Sequence, residues 1–252
     1  RGEMVLRPDF TVPVVQMHMQ SHADPARYTY AGKVFRKQDS DPDRSNEFLQ
    51  VGYEVFDGIN PALADAEVFA AIRDALGDVP LRAATGDIGI LMAAVAGLRT
   101  SQARKDALAR HIWRPRRFRS MLDRFGGRIP VPPTRAALLA ADDPFAGAGA
   151  DIGKRSRLEI ERRITALRDD AATLPISGEE LALLDTLMGL RETSDNVLSQ
   201  LRDIAVDMPA IGPAVMRLNA RLDALEDYGV DVSKLEFEGS YGRTSLEYYD
   251  GF

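Results

Sequence analysis

Residues 28–56, YTYAGKVFRKQDSDPDRSNEFLQVGYEVF, decide how the rest of the chain is read. Tyr28 to Lys37 is rich in aromatic and β-branched residues, which fit a pleated, half-buried surface and predict a strand. Gln38 to Ser45 is polar and contains Pro42, so it predicts a loop. Glu47 to Phe56 then alternates: Leu49, Val51, Tyr53 and Val55 point to one face, and Gln50, Gly52 and Glu54 to the other. The expectation is an antiparallel pair with the apolar face buried.

The polar face has the chemistry to hold a small charged ligand. Arg36, on the partner strand, offers a planar fork for a carboxylate or phosphate. Glu54 and Gln50 offer acceptors for ammonium or imidazole N–H groups. Gly52 lies between them and leaves room for a flat ligand to approach the backbone. The plainer alternative is the polar outer face of a sheet, carrying ordinary cross-strand pairs.

Composition narrows the choices. The 252 residues are 45% hydrophobic, enough for one large domain or two small ones with a substantial core. No run of 18 apolar residues exists, so no membrane span is expected, and the start shows no signal-peptide pattern. The chain opens Arg1-Gly2-Glu3 and stops at Phe252 within a strand-like run, which suggests a fragment of a longer protein. Net charge is −6 and the pI about 5.2. That argues against a general nucleic-acid binder, which must neutralise phosphates. There is no cysteine, so thiolate chemistry and cysteine metal sites are excluded. His18, His22 and His111 are too scattered to suggest a metal centre. A cytoplasmic location is expected.

Phe35-Arg36, a loop, Arg44, Glu47-Phe48, Gln50, Gly52 and Glu54 together resemble the second signature motif of class II aminoacyl-tRNA synthetases. The version in histidyl-tRNA synthetases is the most similar, with the same Arg36-to-Gln50 and Arg36-to-Glu54 separations. Two further stretches extend the resemblance. Leu6-Arg7-Pro8-Asp9-Phe10-Thr11 is similar to a Leu-Arg-Pro-Glu segment that places an acid and a threonine near the amino group of histidine. Asp9 and Thr11 take those places, while Phe10 stands where the family has a glycine. Leu246 to Phe252 resembles the histidine-specific motif, with Tyr248 and Tyr249 as its tyrosine pair. The family's catalytic arginine falls on Thr244, and Arg243 is one residue out of register, which in a strand means the opposite face.

The resemblance implies a histidine pocket of Asp9, Thr11, Arg36, Gln50, Glu54, Tyr248 and Tyr249. It covers residues 1–95 and 235–252, and it implies two possible roles. One is the catalytic domain of a histidyl-tRNA synthetase. The favoured one is its paralogue, the non-catalytic regulatory subunit of short-form ATP phosphoribosyltransferase, in the first step of histidine biosynthesis. The motif loop reads Lys37-Gln38-Asp39-Ser40 where synthetases carry Glu-Arg-Pro-Gln, and Asn46 precedes Glu47-Phe48 where they carry arginine. The altered positions are those needed to hold ATP and the transfer-RNA end. On this reading there is no catalytic residue, cofactor or metal. Histidine is the effector. The partner is the short-form catalytic subunit in a hetero-octamer, with a homodimer formed through the synthetase-like core. A synthetase-like module of unknown ligand is a third possibility.

The expected fold class is α/β: an antiparallel sheet flanked by helices, with a helical insertion. The core would be 1–100 with 235–252, and the insertion 101–234. Along the chain, residues 4–20 predict a short strand and then a helix capped by Thr11. Residues 57–77 predict a turn and a helix closed by Gly77, with Asp65 and Glu67 as packing residues. Residues 80–98 predict a strand, a Thr85-Gly86-Asp87 turn and an apolar helix. Residues 101–128 predict amphipathic helices with a solvated basic face, or a docking surface for an acidic partner or phosphorylated ligand. Residues 129–153 form a connector around a short helix. Spans 155–174, 177–205 and 209–228 each predict a helix, with Ser177 and Glu180 as a capping box. Strand character returns from Leu235.

Overall fold

The computed structural model describes residues 5–37, 44–150 and 152–240. Its elements run α1 (Thr11–Ser21), β1 (Ala26–Phe35), β2 (Glu47–Phe56), α2 (Pro61–Leu76), β3 (Ala84–Thr85), α3 (Ile88–Gly97), α4 (Gln102–Arg110), α5 (Pro115–Phe125), α6 (Pro133–Ala140), α7 (Arg157–Ala172), α8 (Gly178–Gly189), β4 (Arg191–Thr193), α9 (Ser194–Asp207), α10 (Gly212–Asp227) and β5 (Glu236–Glu238). Contacts divide the chain into two units: 1–82 with 217–232, and 83–216 with 233–252. The division expected from the resemblance, 1–100 with 235–252 against 101–234, is drawn along family lines and differs from these contact units.

In the first unit β1 and β2 form an antiparallel ribbon in which Tyr28 faces Glu54, Tyr30 faces Gly52 and Gly32 faces Gln50. The alternation of Glu47–Phe56 is as expected, but the burial is not. Leu49 and Val51 are 67% and 71% exposed, whereas Gln50, Gly52 and Glu54 are half-buried. The reason lies in what covers each face. The segment before α1 lies along β1, where Phe35 N donates to Arg7 O at 3.0 Å and Phe10 reaches Gly32. Farther along, His18 of α1 stacks on Phe56 at 3.9 Å. Among the described residues the Leu49 face is covered at its far end, where Arg27 and Tyr53 both bond Glu67 of α2.

The expected strand before α1 is absent among residues 5–10. Thr11 does not cap α1: it is the first helical residue, and Asp9 Oδ1 accepts from its backbone N–H at 3.2 Å. A carboxylate at a helix start also suits the helix dipole. The start of α2 follows from its sequence. Asn60 accepts from Leu63 N–H, Pro61 needs no donor in the first turn, and Gly77 ends the helix at φ +55°. Asp65 and Glu67 do pack: Asp65 accepts from Arg221 of α10 at 2.7 Å. Arg73 donates to the carbonyls of Gly229 and Tyr228 beyond α10, and so meets orphan acceptors near a helix end.

The second unit is helical around a three-stranded sheet of order β3-β5-β4, with β3 parallel and β4 antiparallel to β5. Asp87 caps α3 by accepting from Gly89 N–H at 2.8 Å. The capping box of Ser177 and Glu180 forms at the start of α8. The single helix expected over 177–205 is two, α8 and α9, because Arg191–Thr193 leaves the helix to pair with β5. Ser194 holds that junction, donating from N–H and hydroxyl to Leu235 O at 2.8 and 2.9 Å.

The basic helices are amphipathic with a solvated basic face, as expected: Arg110, Arg114, Arg116, Arg117, Arg119, Arg124 and Arg128 are exposed, and Arg104 is the exception. α5 buries Phe118, Met121, Leu122 and Phe125, and Arg119 and Arg128 pair with Asp185. Arg104 is only 7% exposed. It bonds the Asp170 carboxylate at 2.7 Å and the carbonyls of Asp170, Thr173 and Leu174 at 2.7, 3.3 and 2.9 Å. A cation thereby collects the orphan carbonyls at the end of α7.

Candidate ligand-binding site

The site is built on the half-buried face of the β1–β2 ribbon and on the segment leading into α1. Arg36 follows β1 and donates through Nε to Pro8 O at 2.7 Å and through Nη2 to Gln50 Oε1 at 3.3 Å. Its guanidinium carbon also lies 5.5 Å from the Phe48 ring centroid. Gln50 Nε2 in turn points at the Tyr30 hydroxyl at 3.5 Å. Arg36 therefore holds the Pro8 segment against the ribbon.

Glu54 is the most constrained acid of the group. Its Oε1 is buried and has no hydrogen-bond partner among the described residues. Burial pushes its carboxyl above the usual glutamate range. A hydrogen bond with Tyr30 opposes this shift, and the charge of Asp9 adds to it. An acceptor in this state favours a ligand that brings an N–H donor, because pairing relieves the desolvation.

Five of the seven expected residues fall in the described part of the chain. Arg36, Gln50 and Glu54 converge through Tyr30. Asp9 acts on Glu54 through its charge, and Thr11 joins the group only through its backbone bond to Asp9. Tyr248 and Tyr249, like Arg243 and Thr244, lie outside the described residues.

Gly52 serves a different purpose from the one expected. A Cβ there would meet Tyr30 Cζ at 2.1 Å, and a Cβ at Gly32 would meet Phe10 Cζ at 2.6 Å. The two glycines admit the chain's own rings. Phe10 and Tyr30 stack at 4.8 Å and 18°, and the Arg7 guanidinium lies 4.3 Å from the Phe10 ring centroid while Arg7 Nε bonds Lys33 O. Tyr30 is the residue that sequence reasoning missed. The signal was its cross-strand partner, since a tyrosine opposite a glycine in an antiparallel pair lays its ring in the gap.

A ribbon with a polar inner face, flanked by helices and joined to a helical unit, is the fold of class II aminoacyl-tRNA synthetases. Two solved structures share it: one from Bacillus halodurans C described as an ATP phosphoribosyltransferase regulatory subunit/histidyl-tRNA synthetase (TM-score 0.60, 21% identity, 97% of this chain and 52% of that one), and histidyl-tRNA synthetase from Nostoc sp. PCC 7120 (TM-score 0.55, 15% identity, 99% and 50%). The histidyl-tRNA synthetase family model matches residues 1–252, and the chain belongs to that family. Its curated relatives include the ATP phosphoribosyltransferase regulatory subunits of Brucella canis and Brucella suis, each 29% identical over 269 residues, covering 98% of this chain and 70% of theirs. The chain thus spans about half the length of the two solved proteins. Among the described residues no helix is long and apolar enough to cross a membrane.

Proposed function

We propose that this chain is a regulatory subunit of ATP phosphoribosyltransferase, in which a synthetase fold senses histidine instead of activating it. The observation that carries this reading is the match to the Brucella regulatory subunits across 98% of the chain. The geometry agrees with it: Arg36 is held by Pro8 O and Gln50, and two aromatic rings lie over the glycines of the ribbon. The motif loop also supports it, reading Lys37-Gln38-Asp39-Ser40 and Asn46 where synthetases carry the groups for ATP and the transfer-RNA end.

On this reading the chain is non-catalytic and works in the cytoplasm on histidine biosynthesis. It forms a homodimer through the synthetase-like core and joins the short-form catalytic subunit in a hetero-octamer, to which it confers activity and histidine feedback inhibition. Histidine sits among Asp9, Thr11, Arg36, Gln50, Glu54, Tyr248 and Tyr249. Asp9, Thr11 and Gln50 accept from its ammonium, Arg36 takes its carboxylate, and Glu54 with a tyrosine hydroxyl reads the imidazole.

Two assays test the reading. Phosphoribosyltransferase activity of a short-form catalytic subunit should rise when the chain is added and become sensitive to histidine. Equal activity and inhibition with and without the chain rule the role out. Because coupling is reciprocal, the catalytic subunit should also shift histidine affinity. Histidine-dependent exchange of pyrophosphate into ATP should stay at background, and robust exchange would restore the synthetase assignment.

A further inference from the structure

Phe10 stands out among the residues of the ribbon face because it fills space there without belonging to either strand. Its ring stacks on Tyr30 at 4.8 Å, approaches Gly32 closely enough that a Cβ there would lie 2.6 Å away, and is overlain by the Arg7 guanidinium at 4.3 Å. A cation over one ring and a second ring stacked on it is the environment an aromatic ligand would seek. A few ångströms of strand away, Glu54 keeps a buried oxygen with no donor. The face thus offers an aromatic shelf and an unmatched acceptor, and the chain's own ring occupies only the shelf.

We propose that Phe10 is a resident competitor for the ring-binding position, so that a ligand carrying a flat ring with an N–H donor must displace Phe10 from Tyr30 before it can reach Glu54. This rests on the ligand site proposed above and adds a regulation to it. Binding becomes a two-state exchange between Phe10-on-Tyr30 and ligand-on-Tyr30. The observed affinity is the intrinsic one multiplied by the fraction of molecules in which Phe10 is out. Phe10 is the residue preceding α1, at φ −107° and ψ −8°, and Pro8 and Arg7 are tied to the ribbon by their carbonyls. Side-chain rotation at Phe10 therefore suffices, and the backbone anchors can stay.

The test is calorimetry with L-histidine on the intact protein, comparing wild type, Phe10→Gly, Phe10→Leu, Glu54→Gln and the double variant Phe10→Gly/Glu54→Gln. Glycine is well tolerated at a helix N-cap, so Phe10→Gly removes the ring without removing α1. If the stacked state holds about 90% of molecules, Phe10→Gly tightens binding about tenfold. Phe10→Leu, which keeps bulk but not the stack, gains less, and adding Glu54→Gln abolishes the gain. Unchanged or weaker binding in Phe10→Gly, with Glu54→Gln still weakening the wild type, overturns the competitor and leaves the site in place. Absence of binding in every protein, or binding indifferent to Glu54, overturns the site and the competitor together. Should Phe10→Gly fail to fold, ring-labelled phenylalanine NMR on the wild type decides. Histidine should move the Phe10 signals, identified by their loss in Phe10→Leu, away from their ring-current-shifted positions. Unmoved signals at saturation overturn the proposal.

Discussion

The β1–β2 ribbon and the helical unit treat their charges in opposite ways. In the helical unit the deepest cation among the described residues, Arg104, meets a carboxylate and four carbonyls, and the unpartnered buried atoms among the described residues there belong to the hydroxyls of Thr85 and Thr100 and to His111. His111 is itself kept toward neutrality by burial and by Arg117, Arg114 and Arg110. In the ribbon a carboxylate is left with one oxygen unmatched, while Leu49 and Val51 face outward. The helical unit pairs its buried arginine and leaves unmatched only hydroxyls and an imidazole among its described residues. The ribbon leaves a carboxylate oxygen unmatched in the same strand as exposed Leu49 and Val51, and local conflicts of this kind gather at functional sites. The contrast is the one that the histidine site proposed above requires.

The largest way to break the contrast is to damage the satisfied side. Arg104→Met strands Asp170 and the end of α7, and removal of one partner from a buried pair costs about 3–5 kcal/mol. A thermal melt should show it, and a melt unchanged from wild type would mean that the arginine is dispensable. The next effect is on ligand binding. Glu54→Gln keeps shape and removes charge, and loss of a charge-assisted hydrogen bond costs about 1.5–3 kcal/mol, or about 10- to 150-fold in histidine affinity. Equal affinity by calorimetry would place the ligand elsewhere. Gly52→Ala drives a methyl into the Tyr30 ring and should cost about 1–3 kcal/mol in chemical denaturation. A neutral result would show that the ring moves aside freely.

The smallest effect is the most specific. The folded-state pKa of Glu54 is raised by burial, so its contribution to stability is fully present below the unfolded pKa and is lost as pH rises through the folded one. Glu54→Gln should therefore melt higher than wild type at neutral pH and match it well below the usual glutamate range. The sign of the difference in melting temperature, and its loss at low pH, are what the melts read. The same substitution then strengthens the fold and weakens binding, as expected where a site holds an unfavourable group for a ligand. A stability difference that does not change with pH would separate the two effects.

Much of this was legible in the sequence. The strand pair, its alternation, the Ser177 capping box and the Gly77 terminus follow from local chemistry and stand in the structure. The family was legible too, because Arg36, Gln50, Gly52 and Glu54 recur at fixed spacing. What failed was the question of which face is covered. Alternation shows that Leu49 and Gln50 point opposite ways but not which side receives the segment before α1. The break between α8 and α9 was hidden for a similar reason: Arg191–Thr193 continues a helical pattern, and only its pairing with β5 takes it out of the helix. Arg104 reads as surface charge until α7 brings its carbonyls.

One strand sets the timetable of synthesis. Phe237 of β5 is the register partner of both Thr85 and Glu192, and it is 1% exposed. A ribosome delivers β3 and all the helices from α3 to α10 before it delivers that phenylalanine. Until then β3 and β4 lack the strand that joins them, and the apolar surface meant for Phe237 stays open on the nascent chain. Pairing between such distant residues is slow to form and open to misassembly while it waits. The sheet of the second unit is therefore joined late, and a nascent chain stalled before Phe237 would present β3 and β4 without the strand that pairs with both.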